Sequence, residues 1–145
     1  MKKQVILLLC TAGIFSGCTN QTNTNLTLVT EQSLQGTWQV EMIDNLPVMD
    51  RSPATLIFNE NGRLAGNSSC NRVTSSYQLS TDNKTNTSKL TLGQSAGTRM
   101  MCTKAQMHQE QRYLEALPKV TQVSIENDIL TLTDDNQHIL FKASK

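Results

Sequence analysis

The sequence predicts an α+β domain, mostly antiparallel β: a strongly curved sheet or partly open β-barrel closed by one helix. Two patterns carry this. Apolar residues recur at every second position in short segments along most of the chain, and one segment, Thr103–Leu117, breaks that rhythm with helix formers. The length, 145 residues, fits one domain and leaves little room for two.

Thr37–Met42 alternates cleanly, with Trp38, Val40 and Met42 on one face. Ala54, Leu56 and Phe58 share a face in the next segment, and Asn61-Gly62, a pair suited to positive φ, leads into Arg63–Asn67. Tyr77 with Leu79, and Leu90 with Leu92, mark two more strands; the polar stretch Thr81–Ser88 between them is expected to be an exposed, mobile connection. Val123 with Ile125, Leu130 with Leu132, and Ile139 with Phe141 give the last three, separated by Glu126-Asn127-Asp128 and Asp134-Asp135-Asn136 turns. For the helix, Thr103 and Gln106 form a capping box and Pro118 supplies the stop. Its inward stripe is expected to be Met107, Leu114 and Leu117, with Tyr113 beside them.

The start of the chain reads as an address. Lys2 and Lys3 precede an apolar run, Val5–Phe15, whose helical length of roughly 16 Å is too short for a bilayer span, so residues 1–17 are expected to be a cleaved signal peptide. Phe15-Ser16-Gly17-Cys18 resembles a bacterial lipobox, with small residues ahead of the cut and a thiol to carry lipid. Acylation at Cys18 would give stable membrane attachment, because several chains insert together. Thr19 follows where Asp would mark inner-membrane retention, so the outer membrane, on its periplasmic side, is the expected location. Residues 18–33 are read as a lipidated tether, rich in Asn and Thr, and residues 34–145 as the folded domain.

Composition excludes more than it announces. Thirteen Lys+Arg stand against 12 Asp+Glu; loss of Lys2 and Lys3 with the leader leaves the mature chain close to neutral. Nucleic-acid binding is therefore not expected. No HExxH, CxxC, G-x-S-x-G or glycine-rich phosphate loop occurs, and His108 and His138 read as solvated surface, so no metal, cofactor or catalytic residue is expected. Cys70 and Cys102 are the cysteines of the folded part. In an oxidising compartment such a pair reads as a disulfide, the rival being a reactive thiol activated by Arg99 or His138. Thr98 and Arg99 sit where an anion could bind ahead of the helix, with Arg99 alternatively covering apolar surface or pairing with a carboxylate.

The segments also resemble a family. Leu34-Gln35-Gly36-Thr37-Trp38, a Phe-bearing strand, the Asn-Gly turn, Gly66, Cys70-Asn71 and above all Thr98-Arg99-Met100-Met101-Cys102 follow one another as in the META domain. The likeness runs from about Leu34 to Phe141 and is nearest to the HslJ-like heat-shock lipoproteins; Ser69 departs from it, standing where the family often has glycine. The resemblance implies a Cys70–Cys102 disulfide, a partly open barrel crossed by a helix, export, and links to heat shock, antibiotic tolerance, motility or virulence. It implies no catalytic residues. The resulting expectation is a non-catalytic, lipid-anchored envelope protein acting in stress or antibiotic tolerance, with an envelope protein as its partner. Two alternatives stand beside it: a binding or pilot-type module holding an acyl chain or partner segment on the sheet's dry face, and an inhibitor of an envelope hydrolase acting through Thr81–Ser88.

Overall fold

A computed structural model describes residues 28–145; the leader, Cys18 and residues 19–27 lie outside the described residues. Each alternating segment is a strand: β1 (Gly36–Ile43), β3 (Ala54–Asn59), β4 (Arg63–Asn67), β5 (Arg72–Asp82), β6 (Thr87–Leu92), β8 (Gln122–Glu126), β9 (Ile129–Thr133) and β10 (Ile139–Ser144). All pair antiparallel in the order β1-β3-β4-β5-β6-β8-β9-β10, and β10 returns to β1 through Gln39↔Ser144 and Ile43↔Phe141. The sheet thus closes into an eight-stranded barrel. Two short strands were not legible in the alternation: β2 (Leu46–Pro47), which pairs with β1, and β7 (Ala96–Gly97), which pairs with β5.

Turn chemistry follows the sequence closely. Asn61 and Gly62 adopt φ of 67° and 68°, and Asn127 and Asp128 take 50° and 61°, all left-handed values that Gly, Asn and Asp tolerate best. The Thr81–Ser88 connection is shorter than expected. β5 and β6 run on to Asp82 and Thr87, leaving a four-residue turn over residues 83–86, and Ser88 is buried. Polar residues extend the ladder there because the backbone pairing, Thr81↔Ser88 and Asp82↔Thr87, satisfies their amides whatever the side chains are.

The barrel interior is filled. Trp38, Phe58, Tyr113 and Phe141 are each at most 1% exposed, with Leu56, Leu90, Leu130 and Leu132 between them. Phe58 meets Tyr77, and Tyr113 meets Phe141, edge to face at 5.1 and 5.2 Å. Each end carries a plug. At one, a single turn α1 (Glu31–Leu34), capped by Thr30, inserts Leu34, whose carbonyl accepts the Trp38 indole N–H at 2.8 Å. Val29 is buried beside it, and its amide donates to Ser88 Oγ. Residues 29–33, read from sequence as tether, therefore pack as part of the fold.

Helix α2 (Lys104–Ala116) covers the other end, with the Thr103–Gln106 capping box in place. Its buried face keeps Tyr113 and Leu117 of the expected stripe but not Met107 and Leu114. Gln109, Tyr113 and Ala116 point inward, followed by Leu117, whereas Met107 and Leu114 are 41% and 38% exposed. Met107 and Leu114 lie seven residues apart and share one side of the helix. Gln109, Tyr113 and Ala116, spaced four and three, share another, and the larger Tyr113 with the doubly bonded Gln109 takes the core. Gln109 Oε1 accepts the Met49 amide and Nε2 donates to the Ser52 carbonyl, both at 2.8 Å, which binds the loop between β2 and β3 to the helix.

Candidate functional site

Two chain segments remote in sequence meet where β4 turns into β5. Ser68, Ser69, Cys70 and Asn71 make that turn, with the Ser68 amide donating to the Asn71 carbonyl. Residues 98–103 approach from β7 on their way into α2, and Cys70 and Cys102 are joined by a disulfide, with Cα atoms 6.0 Å apart. The reactive-thiol reading is overturned, since both sulfurs are bonded.

Asn71 organises the junction. Its Oδ1 accepts the Met100 amide at 2.7 Å and the Thr98 hydroxyl at 2.8 Å; its Nδ2 donates to the Met100 carbonyl at 3.3 Å and to Glu110 Oε2 on α2 at 3.0 Å. The side-chain amide thus pairs with both backbone groups of Met100, as a neighbouring strand would. Thr98 Oγ1 in turn accepts the Arg72 amide at 3.2 Å. One 4%-exposed side chain binds turn, loop and helix together. Such a satisfied polar cluster fixes one geometry and resists alternatives.

Ser69 has φ 110°, a backbone region that β-carbon-bearing residues rarely enter, and its Oγ is buried without a partner. Only its amide is supported, by Asn67 Oδ1 at 2.9 Å. This is the place where a glycine fits the turn best.

The rigid junction holds an apolar surface outward. Met100, Met101, Met107 and Leu114 are 61%, 88%, 41% and 38% exposed, and with the disulfide they line two adjoining hollows of about 640 and 760 Å³. Apart from Leu46, they are the large hydrophobic side chains left exposed among the described residues. Contiguous apolar exposure of this kind marks interaction sites, and methionine's flexible thioether suits it to partners of varied shape. Arg99 lines the same groove, exposed, and among the described residues makes no hydrogen bond or ion pair; of the roles open to it, pairing with a carboxylate is not the one taken. Trp38 belongs elsewhere: it is a core anchor at the opposite end, with Lys145 Nζ 4.6 Å from its ring centre.

No other cluster competes. His138 and Asp44 form an exposed pair at 3.3 Å, His108 is exposed on α2, and among the described residues no three His, Cys, Asp or Glu side chains come together as metal ligands. Burial holds the Tyr113 phenol far above its ordinary value, and its hydroxyl donates to the Thr55 carbonyl, a structural role.

The junction of Cys70-Asn71 with Thr98–Cys102, on a barrel anchored by Trp38 at its other end, has a counterpart. The family model of the META domain matches residues 24–145. The chain belongs to the META domain family. No curated protein matches it. Among solved structures, a Burkholderia xenovorans protein determined by NMR is similar over 79% of this chain and 86% of its own, at 25% identity and a TM-score of 0.59. A second NMR structure is 29% identical over 80% of this chain and 95% of its own, with a TM-score of 0.60. In this META domain the string Thr98-Arg99-Met100-Met101-Cys102 splits by role. Thr98 and Cys102 fasten the loop, the backbone of Met100 is clamped by Asn71, and Arg99 with both methionine side chains faces out. Sequence reasoning missed Glu110 and Gln109, the polar residues by which α2 is held. Gln109 was detectable through its four- and seven-residue spacing to Tyr113 and Ala116; Glu110 carries no local signal.

Proposed function

We propose that this META protein is a non-catalytic, lipid-anchored component of the bacterial envelope, held at Cys18 on the periplasmic side of the outer membrane, that supports stress or antibiotic tolerance by binding a partner protein. The observation that carries this reading is the exposed methionine face, built on a rigid covalent junction. Its placement favours a partner away from the bilayer. Leu28, the first described residue, lies beside Thr85–Ser88, while the junction sits at the start of β5. The eleven residues of β5 separate the two by about 30 Å along the strand. The chain thus leads back toward Cys18 from the end opposite the methionine face.

The alternatives find less support. The dry face that could hold an acyl chain is occupied by Trp38, Phe58, Tyr113 and Phe141. Half of the Thr81–Ser88 segment offered as an inhibitory loop is paired strand, leaving a four-residue turn to act as one. Two measurements in cells test the reading. Labelled palmitate should enter the protein and not a Cys18→Ala variant, and a photoactivatable residue at position 101 should crosslink one protein specifically, where the same residue at exposed Thr91 does not. Labelling independent of Cys18, or equal crosslinking from both positions, refutes it.

A further inference from the structure

Beside the methionine face the barrel leaves a strand edge open. Because the β4–β5 hairpin closes on the Ser68–Asn71 bond, Val73 and Ser75 direct their backbone groups to β4, and Arg72, Thr74 and Ser76 direct theirs the other way. The Thr98 and Gly93 amides accordingly donate to the Arg72 and Ser76 carbonyls. With Ala96 opposite Thr74, the same alternation turns the N–H and C=O of Gly97 away from β5. β6 pairs with β8 only through Ser88 and Lys89, so the edge from Gly93 to Thr98 has no neighbouring strand among the described residues.

The edge is short, β7 itself being two residues, but it carries no blocking side chain. Ser95, Ala96 and Gly97 are small and exposed, with no Lys or Pro among them. One groove of about 640 Å³ is lined by this edge on one side and by Met107 and Leu114 of α2 on the other. A strand edge facing an apolar helical wall is the layout that receives an extended peptide: main-chain bonds give affinity, and alternate side chains give specificity. Charge selects further. Glu110, the groove's acid, keeps its charge but is held against Asn71, which leaves the Arg99 guanidinium as the groove's cation without a counter-ion among the described residues.

We propose that this domain binds an extended segment of its partner by strand addition along Ser95–Thr98, with alternate apolar side chains against Met107 and Leu114 and an Asp or Glu of the segment meeting Arg99. The four residues of edge that line the groove, Ser95–Thr98, span about 13 Å, so the segment contributes about four residues. This deepens the partner-binding reading and rests on it, but not on the lipid anchor.

The test uses the full chain purified from membranes and a phage library of random twelve-residue peptides. Enriched sequences should carry apolar residues two apart and an acidic residue at one end. Binding of a selected peptide should fall at least tenfold in Met107→Glu/Leu114→Glu and about fivefold in Arg99→Glu, all exposed positions, with circular dichroism confirming the fold. The decisive readout is backbone methylation of the peptide. Methylating alternate nitrogens in one register should abolish binding, methylating the other set should leave it, and the Gly97 amide should gain protection from hydrogen exchange on binding. Equal loss or equal retention in both registers, with Gly97 exchange unchanged, overturns strand addition, as does failure to enrich any peptide. If a probe at position 101 still crosslinks a protein in cells, strand addition alone has failed; if that also fails, the partner-binding reading falls with it.

Discussion

Removing the Cys70–Cys102 bond is the perturbation whose size follows most directly from the structure. The closed loop holds 33 residues, for a sequence separation of 32. In the chain-entropy relation a loop of that length costs the unfolded state about 12.5 cal/mol/K, or about 3.7 kcal/mol at 25 °C. Native geometry should survive the loss, because Asn71 still ties Thr98, Met100 and Glu110 together and β7 still pairs with β5. The whole effect therefore falls on the unfolded ensemble. With an unfolding entropy of about 0.25 kcal/mol/K for a domain near 120 residues, Cys70→Ala/Cys102→Ala should melt about 15 °C lower. Urea unfolding of this variant and of the oxidised parent, followed by tryptophan fluorescence of the single Trp38, measures it. The midpoint should drop and the denaturant slope should rise, as an unlinked chain exposes more surface. A loss below 1 kcal/mol with an unchanged slope would refute the reasoning, and a native state altered by near-ultraviolet dichroism would refute the claim that Asn71 is sufficient to hold the junction.

Other outcomes follow from single contacts. Asn71→Ala leaves the Met100 amide and the Glu110 carboxylate without their donor–acceptor partner and should cost about 3 kcal/mol in the same assay; its effect should be non-additive with loss of the disulfide, since both close one junction. Ser69→Gly relieves a φ of 110° and removes an unpartnered buried hydroxyl, and should raise stability by about 1 kcal/mol; no gain would show the turn to be unstrained. Gly66→Ala places a methyl group against the Thr55 carbonyl and the Tyr113 hydroxyl, so it should break their bond and destabilise by about 2–3 kcal/mol, read by thermal melting. Both tyrosines have raised folded values, Tyr113 by burial and Tyr77 by burial and then the Glu31 charge. Their contribution is intact below an unfolded value of about 10 and is lost as pH climbs past it, so the deeply buried Tyr113 phenolate should appear only together with loss of far-ultraviolet dichroism. Two phenolates titrating at about pH 10 in a native barrel would contradict this.

How much of this was legible depended on whether a residue's partner was local. Strand faces at Trp38–Val40, Leu56–Phe58 and Leu130–Leu132 show in alternation because burial there is set by the pleat, and the Thr103–Gln106 cap shows because both partners lie within one turn. The Asn-Gly turn is read from backbone tolerance alone. The β1–β10 closure is not local, and neither are β2 and β7, which are two residues each and exist only because a neighbour offers an edge. Met107 and Leu114 were assigned to the core on apolarity; the barrel interior was already filled by Tyr113 and Phe141, and the choice between two helix faces was made by volume that no window of sequence contains. Cys70, Asn71, Thr98 and Cys102 could be singled out as a motif. That Asn71 clamps Met100 in the manner of a strand needed coordinates.

The Gln39↔Ser144 pairing also sets a clock. A barrel whose first strand is completed by its last cannot close until residues 139–144 are available, and contacts between positions about a hundred residues apart form slowly. During synthesis, β1 waits without one of its neighbours. The Cys70 and Cys102 thiols emerge earlier and can be joined while the ring is still open. Late closure is thus written into the connectivity: the chain stays threadable until its final strand arrives, then locks in one step.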